Sequence, residues 1–71
     1  MNLNKTFGMN IKLLREKEGW SQEELADRTG LHRTYISGIE RGVRNPTLMI
    51  IEKISITLKV SPEDLFKKDN K

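Results

Sequence analysis

The alternation of apolar and polar positions along the chain predicts a compact all-α fold of five short helices. Phe7, Ile11 and Leu14 recur at i, i+4 and i+7, a helical stripe from about Lys5 to Glu18 that Gly19 brings to a stop. Trp20 follows, placed to staple onto Leu25 at the start of the next helix. There Ser21 is the N-cap with Glu24 as its capping-box partner, and Gly30 ends the segment by taking φ > 0 without a Cβ penalty. A third helix runs from about Arg33 to Arg41, with Ile36 and Ile39 on one face and Arg33, Thr34, Ser37 and Arg41 pointing elsewhere. Gly42 and Pro46 then bound a loop, and Thr47 caps a fourth helix. On that helix Leu48, Ile51, Ile54, Ser55 and Leu58 share the face expected to complete the core. Ser61-Pro62-Glu63-Asp64 starts the fifth, with a capping serine, proline at N1 and acids in the first turn.

The middle two helices carry the functional signal. Ala26 is small where a second helix must cross closely, Gly30 makes the turn, and Leu31, Ile36 and Ile39 hold the pair on a shared core, which is the helix-turn-helix pattern. The other side chains of the second helix are then free for a partner. For such a unit that partner is the major groove of DNA, wide enough to admit one helix and readable by its N-terminal residues. After the motif, Arg44 and Asn45 stand exposed where they reach a sugar-phosphate backbone.

Charge sharpens this picture through its distribution. The net charge is +3; residues 1–30 are balanced, whereas residues 31–45 hold Arg33, Arg41 and Arg44 against Glu40 alone. Arginine's planar fork suits phosphates and guanine edges better than a lysine point charge does. A solvated charged face accounts for the charge equally well taken alone. Arg15 directly follows Leu14 and Glu40 directly follows Ile39, so the two helices can bring them together as a partly buried pair that fixes geometry; separate surface charges are the alternative. Gly38, inside a helix, costs about 1 kcal/mol relative to alanine. Either it lets the helix backbone approach DNA or it is merely tolerated.

Met49 and Ile56 fall nearly opposite the core face of the fourth helix and call for cover by a second subunit. Phe66, on an adjacent face of the last helix, joins them as a candidate dimer interface, with Leu65 both closing the core beneath Val60 and edging the patch. Residues 1–71 are read as one domain with its core at 5–66, a frayed start at 1–4 and a polar, disordered tail at 67–71. With no cysteine, thiolate metal sites and disulfides are excluded, which fits a reducing compartment. His32 is the only histidine and stands alone, better suited to a cap or a DNA phosphate than to catalysis, so no enzyme, metal or cofactor is expected. No apolar run approaches a membrane span and the start lacks a signal-peptide pattern, so the chain is expected to be soluble and intracellular; the family resemblance that follows implies the bacterial cytoplasm, on the nucleoid when DNA is bound.

The segment LREKEGWSQEELADRTGLHRTYISGIERGVRNPTL, followed by IEKI and VSPEDLF, resembles the five-helix, lambda-repressor-like DNA-binding domain of the Cro/C1-type (XRE-like) family over residues 7 to 66. Within it, RTYISGIERGVRNPT resembles the controller proteins of bacterial restriction-modification systems. The resemblance implies a homodimer on a palindromic operator, activating and then repressing transcription, with RNA polymerase as a further partner. By the same resemblance Gln22 and Tyr35 touch the DNA backbone, Arg33, Thr34 and Ser37 face bases, and Arg41, Arg44 and Asn45 support backbone or adjacent base contacts. It also implies the Arg15–Glu40 pairing. The sequence departs from its relatives at Met49, Ile50 and Ile56, where polar residues are common. The alternative is a phage-type repressor, or an antitoxin-like module whose main partner is another protein.

Overall fold

The computed structural model describes residues 2–68, in four α-helices and a closing 3₁₀ helix: α1 Leu3–Lys17, α2 Gln22–Thr29, α3 Arg33–Glu40, α4 Leu48–Leu58 and the 3₁₀ helix Pro62–Phe66. The expected fifth α-helix is therefore corrected to a single tight turn. It starts as the sequence predicts, with a Ser61–Asp64 capping box and Pro62 at its first position. It stops at once because Asn10 of α1 donates from its side-chain amide to the carbonyls of Leu65 (2.8 Å) and Lys67 (2.7 Å), oxygens that a longer helix would have used internally. Asp64, bonded by Lys67 and by Ser61, has its carboxyl held below the usual aspartate range.

The start of α1 also departs from expectation. Residues 2–4 are not frayed, since the Asn2 side chain accepts the amide of Lys5 and caps a helix that already includes Leu3 and Asn4. At the other end, Lys67, expected in the disordered tail, pairs with Asp64 at 2.8 Å; residues 69–71, the rest of that expected tail, and Met1 lie outside the described residues.

The core is Phe7 and Ile11 of α1, Leu25 and Ala26 of α2, Ile36 and Ile39 of α3, Ile54 and Leu58 of α4, and Leu65. Ser21 accepts the amide of Glu24 as its cap role requires, but the Glu24 carboxylate turns outward to Arg28 at 2.8 Å. Arg28 in turn lies 4.2 Å over the Trp20 ring, so the tryptophan, packed on the core by one part, seats a cation with another. On α4, Ile54, Ser55 and Leu58 are buried as predicted, whereas Leu48 is 84% exposed. It occupies the first position of the helix, where no element overlies it, while Ile50 leans back onto the core in its place.

Gly8 is buried on α1 where that helix meets the end of α3. A Cβ there would run into the Ile39 carbonyl oxygen and lie 2.8 Å from that of Glu40, both fixed backbone atoms. Close approach of this kind has no substitute. Gly8→Ala is expected to destabilise the domain by about 1 to 3 kcal/mol of overpacking, despite alanine's better helix propensity. A thermal melt with an unchanged or raised midpoint would contradict it.

Candidate nucleic-acid interface

The turn between α2 and α3 forms as its residues dictate. Gly30 takes the left-handed conformation at φ 74°, and its amide and that of Leu31 both return to the Ala26 carbonyl. His32 then stands at the N-cap of α3 without its side chain capping the helix. Ile36 and Ile39 are essentially fully buried. Turning α3 over would expose both, at about 1.5 to 3 kcal/mol each, a large share of the stability available to a domain this small. The orientation of α3 is thereby set, and Arg33, Thr34 and Arg41 are left exposed with Ser37 half-buried between them.

Behind that face, Arg15 and Glu40 form the predicted pair. Arg15 Nε donates to Glu40 Oε2 at 2.6 Å and Nη2 to Oε1 at 3.0 Å, with side chains only 10% and 3% exposed. Arg15 Nη1 also donates to the Trp20 carbonyl at 2.7 Å, so one guanidinium joins α1, the following turn and α3. The hydrogen bond to Glu40, before its charge, holds the guanidinium above its ordinary range against the opposing pull of burial. A raised pKa means that the guanidinium's share of the stability is fully present below its unfolded value and is lost only in strong alkali, so Arg15 stays charged at neutral pH.

Gln22, expected on the DNA backbone, donates from Nε2 to Glu40 Oε1 at 3.0 Å. One amide hydrogen remains to donate to a phosphate. The loop after α3 is equally well held. The amides of Gly42 and Val43 donate to the Ile39 and Gly38 carbonyls, and Asn4 Nδ2 of α1 donates to Asn45 Oδ1 at 2.5 Å. Gly42, at φ 78°, rests against Lys5. Arg44 is exposed, with its guanidinium 5.5 Å over the half-buried Tyr35 ring. The reading of Gly38 as a close approach to DNA is corrected: a Cβ there would lie 2.7 Å from Arg44 Cγ, so the space beside this glycine is filled by the protein's own side chain.

The structure therefore brings Arg33, Thr34, Tyr35, Ser37, Arg41, Arg44, Asn45 and Gln22 onto α3 and its borders. It divides the expected dimer residues. Met49 (73%) and Ile56 (69%) are exposed on α4 and Leu48 joins them, but Leu65 is fully buried and Phe66 stacks on Phe7 with ring centroids 5.0 Å apart. Those two serve the core, because the tight 3₁₀ turn presses both against α1. The Asn4 brace escaped sequence reading altogether. Among the described residues no group of His, Cys, Asp or Glu gathers to hold a metal, and no helix is long and apolar enough to cross a membrane.

A family model described as helix-turn-helix matches residues 11–65. The chain belongs to this family. This helix-turn-helix protein is 52% identical over 65 residues to the control protein C.BamHI of Bacillus amyloliquefaciens, covering 90% of its own length and 80% of that relative. Its fold is similar to the restriction-modification controller protein C.AhdI from Aeromonas hydrophila, with a TM-score of 0.85, 43% identity and coverage of 89% and 96%. It is also similar to the controller protein C.Esp1396I, seen as a tetramer with its natural 35 base-pair operator (TM-score 0.82, 42% identity, coverage 93% and 87%). The resemblance to controller proteins thus holds across nearly the whole chain.

Glu40→Ala would strand the buried Arg15 charge and release Gln22 together. Removing one partner of a buried pair costs about 3 to 5 kcal/mol, so the variant is expected to melt far lower than the parent. A melting curve superimposable on the parent's would show that the pair carries no such burden.

Proposed function

We propose that this protein is a homodimeric, sequence-specific transcription regulator that binds a palindromic operator and controls restriction-modification genes by activation and autorepression. The observation that carries the proposal is the arginine-bearing outer face of α3, turned to solvent because Ile36 and Ile39 anchor its other side. Arg33, Thr34 and Ser37 are assigned to base edges, Gln22, Tyr35 and Arg41 to the sugar-phosphate backbone, and Asn45 to the backbone or an adjacent base. Activation further implies contact with RNA polymerase.

The domain measures 29 × 22 × 19 Å, less than the roughly 34 Å between successive major-groove segments on one side of a duplex. Two copies are needed to occupy both. The patch of Leu48, Met49 and Ile56 on α4 supplies the surface for pairing, and Glu52 and Lys53, which border Met49 and Ile56, let a two-fold contact match opposite charges. Similarity to proteins named as controllers, one of them bound to its operator as a tetramer, supports the same reading.

Footprinting on the DNA upstream of the gene tests the function directly; protection of two symmetric half-sites is expected, and no protected site would overturn it. Arg33→Ala is expected to cost about 1 to 3 kcal/mol and relax preference at one base pair, whereas Arg41→Ala should weaken binding to all sequences and reduce the salt slope by about one. Equal losses for Arg33→Ala on operator and random DNA would refute its assignment to a base. Ile56→Glu should convert the dimer to a folded monomer in sedimentation and weaken operator binding; an unchanged dimer would place the interface elsewhere.

A further inference from the structure

The glycine inside α3 has a use that neither helix stability nor the backbone's approach to DNA explains. Gly38 is buried, yet what lies against it is the side chain of Arg44, from the loop beyond the helix. A Cβ at position 38 would fall 2.7 Å from Arg44 Cγ, so the arginine would have to shift, and 3.2 Å from its Nε, a tight contact. The loop itself is fixed at this point, because the Val43 amide donates to the Gly38 carbonyl at 3.0 Å. From Gly38 the side chain runs toward the N-terminus of α3, and its guanidinium ends 5.5 Å over the ring of Tyr35, three residues earlier in the helix. Thr34 and Arg44 there line one shallow hollow together with Tyr35 and His32.

We propose that Gly38 is a positioning residue: the side chain it lacks leaves a slot in α3 where Arg44 lies, so that a loop arginine reads base pairs as part of the recognition helix. The direction of the side chain is the decisive point. An arginine serving only a phosphate needs no slot in the helix, whereas this one shares its hollow with Thr34, which is assigned to a base edge. Stacking on Tyr35 and confinement beside Gly38 limit the rotamers of Arg44 before DNA arrives, so less freedom is lost when its planar fork meets a base edge such as guanine. Arg44 thereby joins Arg33, Thr34 and Ser37 as a specificity-determining residue, and Tyr35 acts partly through it.

The inference rests on the DNA-binding reading, and the experiment separates the two. Wild type, Gly38→Ala, Arg44→Ala and the double variant are titrated with the duplex from upstream of the gene and with a shuffled duplex of equal length, alongside thermal melts. Wild type should prefer the upstream duplex; absence of any preference overturns the regulator reading itself, and this inference with it. Gly38→Ala should lower the preference about tenfold or more while melting no lower than wild type, because the exposed Arg44 side chain, unlike the backbone against Gly8, can swing aside and alanine is the better helix former. Arg44→Ala should lose a similar factor, and the double variant should lose no more than Arg44→Ala. Retained preference in Gly38→Ala, or losses that multiply in the double variant, would overturn the positioning role alone. Arg44→Lys gives a readout independent of position 38: it should keep binding to the shuffled duplex and lose preference, and full preference with lysine would overturn base reading by Arg44.

Discussion

The contact on which the rest of the molecule depends is the crossing of α1 over the C-terminal end of α3. Gly8 lets the two backbones meet with no side chain between them, and Arg15 closes the same junction by gripping Glu40 and the Trp20 carbonyl. The two devices act differently. Net stability comes from the apolar groups enclosed around the crossing, each worth about 1.5 to 3 kcal/mol. The ion pair adds little beyond what well-packed apolar groups would supply, but it makes any other angle between the helices expensive. A domain with so small a core gains a defined α3 orientation in this way, and that orientation decides which side chains meet a partner.

Features set by neighbours in sequence were legible before the fold was known. The Ser21 cap, the left-handed Gly30, the Thr47 cap and the Ser61-Pro62 helix start are satisfied within a few residues of themselves, so local pattern was enough. Ile36 and Ile39 were legible for a related reason, since an apolar pair three apart on a polar helix has only one stable face to bury. What escaped depends on elements far apart in the chain. Nothing near Gly8 says that α3 carbonyls will arrive there, and nothing near Asn10 says that its amide will meet the Leu65 and Lys67 carbonyls. Leu48 failed the other way: periodicity placed it on the core face, but the core does not extend to the first turn of α4.

Counting charges likewise treats as equal several arginines that the structure separates. Arg15 is enclosed and bonded on three sides, Arg28 lies over Trp20 and pairs with Glu24, and Arg44 lies over Tyr35 beside Gly38. Arg33 and Arg41 remain on the exposed face of α3. The positive excess of residues 31–45 therefore resolves into cations of different freedom. Arg44 lies over an aromatic ring, while Arg33 and Arg41 stand clear of one at the two ends of α3.

The first turn of α1 is the floor beneath the loop that follows α3. Asn2 caps that turn, Asn4 bonds to Asn45, and Lys5 backs Gly42. Anything fused directly ahead of Asn2, such as a purification tag, would therefore load the edge of the proposed DNA-reading surface from below. Affinity tags and fluorophores for binding studies belong at the opposite terminus, beyond the strut that Asn10 makes with the Leu65 and Lys67 carbonyls.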